Sequence, residues 1–208
     1  MIDTSVLMTY VAIVLGFVFI PGPATLLTVA RATTSGTRAG LATGFGVAVG
    51  DLIHTLMAAV GISAVIAASA LLFSIIKYIG AAYLIYLGIR AILTRTAPEL
   101  GAGALSVSPA NAFRQAVLTE VLNPKTALFF LAFLPQFVHP ENGPAIPQLL
   151  ILGFVFVVLG LFSTVVFAMG AGGLGRFLRR HPAVMKWQGK VVGGIYCALG
   201  LRLALQQR

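Results

Sequence analysis

Apolar residues run along this chain in long blocks, interrupted only where glycine, proline or charge intervenes. A helix needs ~20 apolar residues to cross a hydrocarbon core of about 30 Å. Six stretches meet that pattern, at 6–30, 41–64, 71–93, 114–138, 147–169 and 188–206. The pattern predicts an all-α polytopic membrane protein of six transmembrane helices, with 1–208 forming a single transmembrane domain. The sixth stretch has the shortest core, Val191 to Leu201, with Lys190 and Arg202 near its ends. If it did not cross, the carboxy terminus would change sides.

The segment TRTAPELGAGALSVSPAN, Thr94 to Asn111, has linker composition. A linker over 94–112 divides the chain into repeats 6–93 and 113–206, each of three spans. Three is odd, so if the halves are copies they must be inverted, the arrangement of many secondary transporters. Each half carries a proline-bearing break in its first span, Pro21-Gly22-Pro23 in one and Asn123-Pro124 in the other. Proline removes a backbone donor and clashes with the preceding turn, at about 3 kcal/mol in a helix interior. Spans one and four are therefore expected to be broken, with the freed backbone groups beside protein or water rather than lipid.

Composition strengthens the membrane reading. The 208 residues are 59% hydrophobic and 9% charged, with mean hydropathy +0.99, against about 25% charged in globular domains. The opening MIDTSVLMTY has an aspartate and no cation before the apolar run, so it reads as a retained first helix rather than a signal peptide. A single cysteine, Cys197, excludes an internal disulfide or a Cys-x-x-Cys pair.

The net charge of +9 would suggest nucleic acid in a soluble chain, but here the cations are sorted by loop, as membrane orientation requires. Arg31, Arg38, Arg90, Arg95, Arg114, Arg176, Arg179, Arg180, Lys186 and Lys190 fall on one side, and Lys77, Arg202 and Arg208 on the other. The rule places the cation-rich side in the cytoplasm and both termini outside. No nucleic-acid partner is expected.

Candidate chemistry lies inside the spans. At helical spacing, Gly40, Gly44, Val47, Asp51, His54, Ala58 and Gly61 share one stripe. Gly46 and Gly50 form a small-xxx-small pair on the neighbouring face, which suits helix packing. A charge at mid-span costs roughly 2.5–3.5 kcal/mol and usually faces a cavity and a partner. Asp51 and Lys125 are the obvious opposite charges, and Glu120 sits about a turn from Lys125. His54 reads as a hydrogen-bond neighbour of Asp51, and Asn123 as a helix cap or a substrate contact. Tyr78, Tyr83, Tyr86 and Trp187 read as interface anchors and packing residues, and GRFLRRHPAVMKW as a cytoplasmic, lipid-facing anchor between spans five and six.

The segments FIPGPATLLTVARATTSGTRAGLATGFGVAVGDLIH, IKYIGAAYLIYLGIRAIL and EVLNPKTALFFLAFLPQF, in that order and at these spacings, resemble the bacterial lysine-exporter/homoserine-threonine-exporter (LysE/RhtB) family over about residues 6 to 205. Pro21, Gly22, Pro23, Gly50, Asp51, Asn123, Pro124 and Lys125 match its pattern. The resemblance implies a multi-pass exporter of amino acids or similar metabolites in the bacterial inner membrane, driven by proton exchange. It implies no cofactor, and leaves open a monomer or a homodimer.

In chemical terms, amides at the helix starting near Pro124, helped by Lys125, would take a substrate carboxylate. Asp51 would take the ammonium group, and protonation of Asp51 or Glu120 would bias the two halves. The alternative is efflux of a cation or metal ion, for which Asp51, Glu120 and His54 are the available ligands. A non-transporting structural protein would not require charges at mid-depth. Gly-x-Ser-x-Gly and His-Glu-x-x-His are absent, so no enzyme is expected.

Overall fold

The computed structural model describes residues 2–20, 22–68, 70–93, 106–180 and 182–205. Pro21, Arg95, Arg208 and the linker from 94 to 105 lie outside the described residues, as do the side chains of Arg176, Arg179, Arg180, Lys186 and Trp187. The helices are α1 (Thr4–Val18), α2 (Pro23–Ser35), α3 (Thr37–Ala68), α4 (Ala70–Leu93), α5 (Pro109–Val121), α6 (Pro124–Leu128), α7 (Ala145–Arg180) and α8 (Pro182–Leu205). No strand occurs among the described residues.

Both expected breaks are present. α1 and α2 meet at 53°, and α5 meets the segment Pro124–Phe137 at 43°. Gly22 and Asn123 are the extended residues that start α2 and α6, each followed by proline at the first helical position, where its missing N–H costs nothing. α3 and α7 contain stretches long and apolar enough to cross a membrane, Thr37–Gly61 and Ala145–Ala171; counting each bent pair as one span gives up to four.

Three details depart from expectation. After α6 the chain widens into a π turn, Phe129–Phe133, and then tightens into a 3-10 turn, Leu134–Phe137. Pro135 explains this, because it cannot donate into an α ladder and its ring displaces the turn before it. Helix α5 begins inside the expected linker, at Pro109, capped by Ser108 Oγ, which accepts from the Asn111 amide at 3.3 Å. The expected basic loop GRFLRRHPAVMKW is helical on both sides of His181, because Pro182 serves as the first residue of α8.

α3 is the central rod, packing against α5 on one side and α7 on the other, while α4 pairs with α8. The glycine stripe of α3 explains the close approach. A Cβ at Gly44 would lie 2.9 Å from Thr164 Oγ1 of α7, and one at Gly46 would press into the Phe113 carbonyl and Ala116 of α5. Gly46→Val is therefore expected to lower stability by about 1–3 kcal/mol through overpacking. Gly16→Ala, whose added carbon meets nothing within 4 Å, should be neutral or slightly stabilising. Thermal unfolding of the two purified variants in detergent checks the contrast.

Candidate functional site

The two breaks face each other across α3. Around them lie Asp51, Glu120, Asn123 and Thr126, each at most 3% exposed. Helical geometry delivers them from three elements: Asp51 from the middle of α3, Glu120 from the last turn of α5, and Asn123 with Thr126 from the first turn of α6. Asn123 serves two structures at once. Its Oδ1 caps α6 by accepting from the Lys125 amide at 3.1 Å, while its Nδ2 donates to both carboxyl oxygens of Glu120 at 3.1 and 3.2 Å. The Thr126 hydroxyl also donates to Glu120 Oε1 and accepts from Asn123 Nδ2 at 3.2 Å.

The Asp51 and Glu120 carboxyls border the same small cavity and lie close enough to interact electrostatically. Absent side chains make room for them. A Cβ at Gly50 would run into the Glu120 side chain, and one at Gly160 of α7 would lie 3.1 Å from Asp51 Oδ2. Gly50 thus acts through packing, and Gly160 holds the other wall.

Lys125 is placed differently from expectation. It forms no ion pair with Asp51; its Nζ donates to the carbonyls of Phe17 and Ile20, each at 3.3 Å. It also sits 4.2 Å from the centre of the Phe17 ring and 5.7 Å from that of Tyr196. The break in the first span takes the Ile20 carbonyl out of the helical ladder, while the Phe17 carbonyl also accepts from the Ile20 amide at 3.3 Å, and a cation there is favoured by the helix dipole. Ser163 of α7 completes the cap by donating to the Val18 carbonyl at 2.9 Å. Lys125 lies against Gly22, where a Cβ would meet its Cδ and Nζ at 3.3 Å.

His54 also departs from expectation. Its Nε2 donates to the backbone carbonyl of Glu120 at 2.9 Å, and its ring stacks on Phe130 at 5.8 Å. It positions the end of α5 rather than pairing with the Asp51 carboxylate, because the donor is directed across to α5 instead of along α3. Among the described residues no group of three His, Cys, Asp or Glu side chains is placed to hold a metal ion.

Asp51, Glu120, Asn123, Lys125 and Gly22 all border one small cavity of about 40 Å³. A buried water needs roughly 10–15 Å³ of such space, so it accommodates about three waters and no amino acid. Ala24 and Thr25 also line it. They are the second and third residues of α2, whose amino end has no side-chain cap. Their amides have no helical acceptor. The break at Pro124 offers less than expected, since proline has no N–H and Asn123 already occupies the Lys125 amide. Sequence reasoning passed over Thr126, Gly160, Phe17 and Tyr196. Thr126 alone had a signal, three residues after Asn123 on the same helical face.

Asn123→Ala removes a cap worth about 0.5–2 kcal/mol and leaves a buried carboxyl short of its donors, at about 1–3 kcal/mol more. A loss within the sum of these ranges is expected in thermal unfolding, with Asn123→Asp recovering only the cap.

A family model described as LysE type translocator matches residues 7–207. The chain is 33% identical over 202 residues to a Vibrio cholerae protein described as an uncharacterized membrane protein, covering 97% of this chain and 98% of that one. It is 32% identical over 184 residues to the homoserine/homoserine lactone efflux protein of Salmonella typhimurium, covering 88% of each. It is 32% identical over 139 residues to the leucine efflux protein of Salmonella choleraesuis, covering 65% of this chain and 66% of that one. No solved structure matches.

Proposed function

The chain belongs to the LysE type translocator family, a family of membrane transporters and not of enzymes, and on that premise we propose that it is a secondary active exporter of amino acids or related small metabolites, working by proton antiport across the bacterial inner membrane. The observation that carries the chemistry is the buried Asp51–Glu120 carboxyl pair, placed with Lys125 around one cavity where two broken helices meet. The names of the Salmonella relatives, which refer to efflux of homoserine and leucine, support the substrate class.

The six-span inverted repeat with both termini outside remains the best account of the architecture. In its favour, each half begins with a bent helix pair, at 53° and 43°, and α3 packs on α7 and α4 on α8, pairings a two-fold relation allows. The cation-rich loops supply the orientation.

Two buried carboxyls beside one cavity repel each other when both are charged, so holding one proton between them is favoured. The pair is therefore a proton store held by Asn123 and Thr126. A zwitterion entering an enlarged cavity finds the uncapped amides of Ala24 and Thr25, with Lys125 beside them, for its carboxylate. Its ammonium group finds the acid pair, and its arrival favours release of the shared proton. As Lys125 turns to the substrate it leaves the Phe17 and Ile20 carbonyls, which loosens the end of α1. Loading is thereby coupled to the bend between α1 and α2.

Vesicles containing the purified protein, loaded with labelled L-leucine or L-homoserine, test this reading. Outward flux accompanied by inward proton movement is expected; efflux indifferent to an imposed proton gradient rules out antiport. No specific observation favours metal efflux, and loading the same vesicles with zinc or manganese checks that alternative.

A further inference from the structure

A second chamber of about 240 Å³ lies at the other end of the bundle, bordered by Ser5, Thr9, Phe133, Gln136, His139 and Arg202. It is separate from the buried cavity. Between the two runs a continuous column of rings: Phe17, which lines the cavity, packs on Phe129 at 4.5 Å, Phe129 on Phe133 at 5.1 Å, and Phe133 on Phe137 at 5.2 Å. Phe133 and Phe137 then line the chamber.

Gln136 is the unusual residue there. It is 9% exposed, and its Oε1 is buried with no hydrogen-bond partner. The amide orientation is fixed, because Nε2 donates to the Ala132 carbonyl at 3.3 Å and an oxygen in that place could not. The atom left over is an acceptor. An unmatched buried acceptor costs about 1–3 kcal/mol, which a ligand with an N–H group would relieve. The same chamber presents the guanidinium of Arg202, a partner for a carboxylate, and apolar walls at Val6, Phe133 and Phe137. A donor, an anion and an apolar group on one small molecule describe an α-amino acid.

We propose that this chamber is an exit station, where the exported amino acid pauses with its ammonium group on Gln136 Oε1 and its carboxylate on Arg202. The proposal rests on the export reading above. By the charge asymmetry of the loops the chamber opens to the outside, so the ring column separates a loading cavity from a release site.

The test is equilibrium binding of labelled L-leucine and L-homoserine to the full chain in lipid nanodiscs. Wild type should bind at two sites. Gln136→Leu and Arg202→Gln should each weaken one site at least tenfold and spare the other, which Lys125→Gln should weaken. Gln136→Glu, which keeps the acceptor, should retain the chamber site and shows that loss in Gln136→Leu is not misfolding. Binding removed by Lys125→Gln but unchanged in both Gln136→Leu and Arg202→Gln overturns the exit station and leaves the central site standing. Binding lost only in the chamber variants supports the station and removes the central one. No binding of either amino acid to wild type overturns both, and a gain of apolar stability in Gln136→Leu without any change in binding assigns the acceptor to water.

Discussion

Glu120→Gln is expected to abolish concentrative export while leaving the fold intact. One inward proton at 100 mV supplies about 2.3 kcal/mol, and 1.4 kcal/mol corresponds to a tenfold ratio. Under the proposed antiport, the coupled protein would therefore sustain roughly a fortyfold outward gradient of a zwitterion. Without a carboxyl at position 120 to carry the proposed proton, the gradient should collapse toward unity and the accompanying proton influx should vanish. The amide keeps the volume of the side chain seated against Gly50 and can still bond Asn123 and Thr126, so thermal stability should change little. Proteoliposomes carrying an interior pH indicator and labelled amino acid report both quantities at once. Proton influx persisting at the wild-type ratio to amino acid in Glu120→Gln would show that the proton travels elsewhere. Asp51→Asn measured in parallel separates the members of the pair, since the variant that keeps coupled proton influx has lost the carboxyl that does not carry the proton.

Lys125→Met carries the second large effect, and it should appear in stability as well as transport. The ammonium group donates to the Phe17 and Ile20 carbonyls and packs on the Phe17 ring. The Phe17 carbonyl keeps the Ile20 amide at 3.3 Å, but the Ile20 carbonyl is left without a donor at about 1–3 kcal/mol, so a loss of about 1–3 kcal/mol is expected in thermal unfolding, together with loss of export. Lys125→Arg, which keeps the charge and the donors, should recover much of the stability while crowding Gly22. If Lys125→Met unfolded at the wild-type temperature, the cap on α1 would have no energetic weight and the lysine would act on substrate alone. A charge swap between Asp51 and Lys125 should not rescue either property, because these two side chains form no direct pair.

The helical stretches were legible in the sequence because apolar blocks and their punctuation depend on local composition. The two breaks were legible for the same reason: Pro23 and Pro124 dictate backbone geometry wherever they stand. Asp51, Asn123 and Lys125 could be named from depth alone, since a polar group there requires a partner. What depth cannot give is which partner. Opposite charge suggested Asp51 with Lys125, yet the Phe17 and Ile20 carbonyls at and just past the end of α1 compete for the ammonium group, and they belong to residues with apolar side chains. The directions of His54 and Glu120 were hidden for a similar reason, as both depend on the rotation of α3 against α5. Gly160 and Tyr196 enter from helices whose own sequence shows nothing but packing. Residues 129–137 fell inside the expected fourth span because Asn123-Pro124 already supplied its break, leaving the widening before Pro135 without a separate signal.

The stacked rings of Phe17, Phe129, Phe133 and Phe137 have an electrical consequence. With the rings in contact, apolar packing stands between the carboxyl pair and the far chamber, so under the proposed antiport a proton held on the pair would meet no polar side chain along that column. On that reading an idle copy would be an insulator. A cell could then keep many such proteins in its envelope without short-circuiting the voltage that drives them.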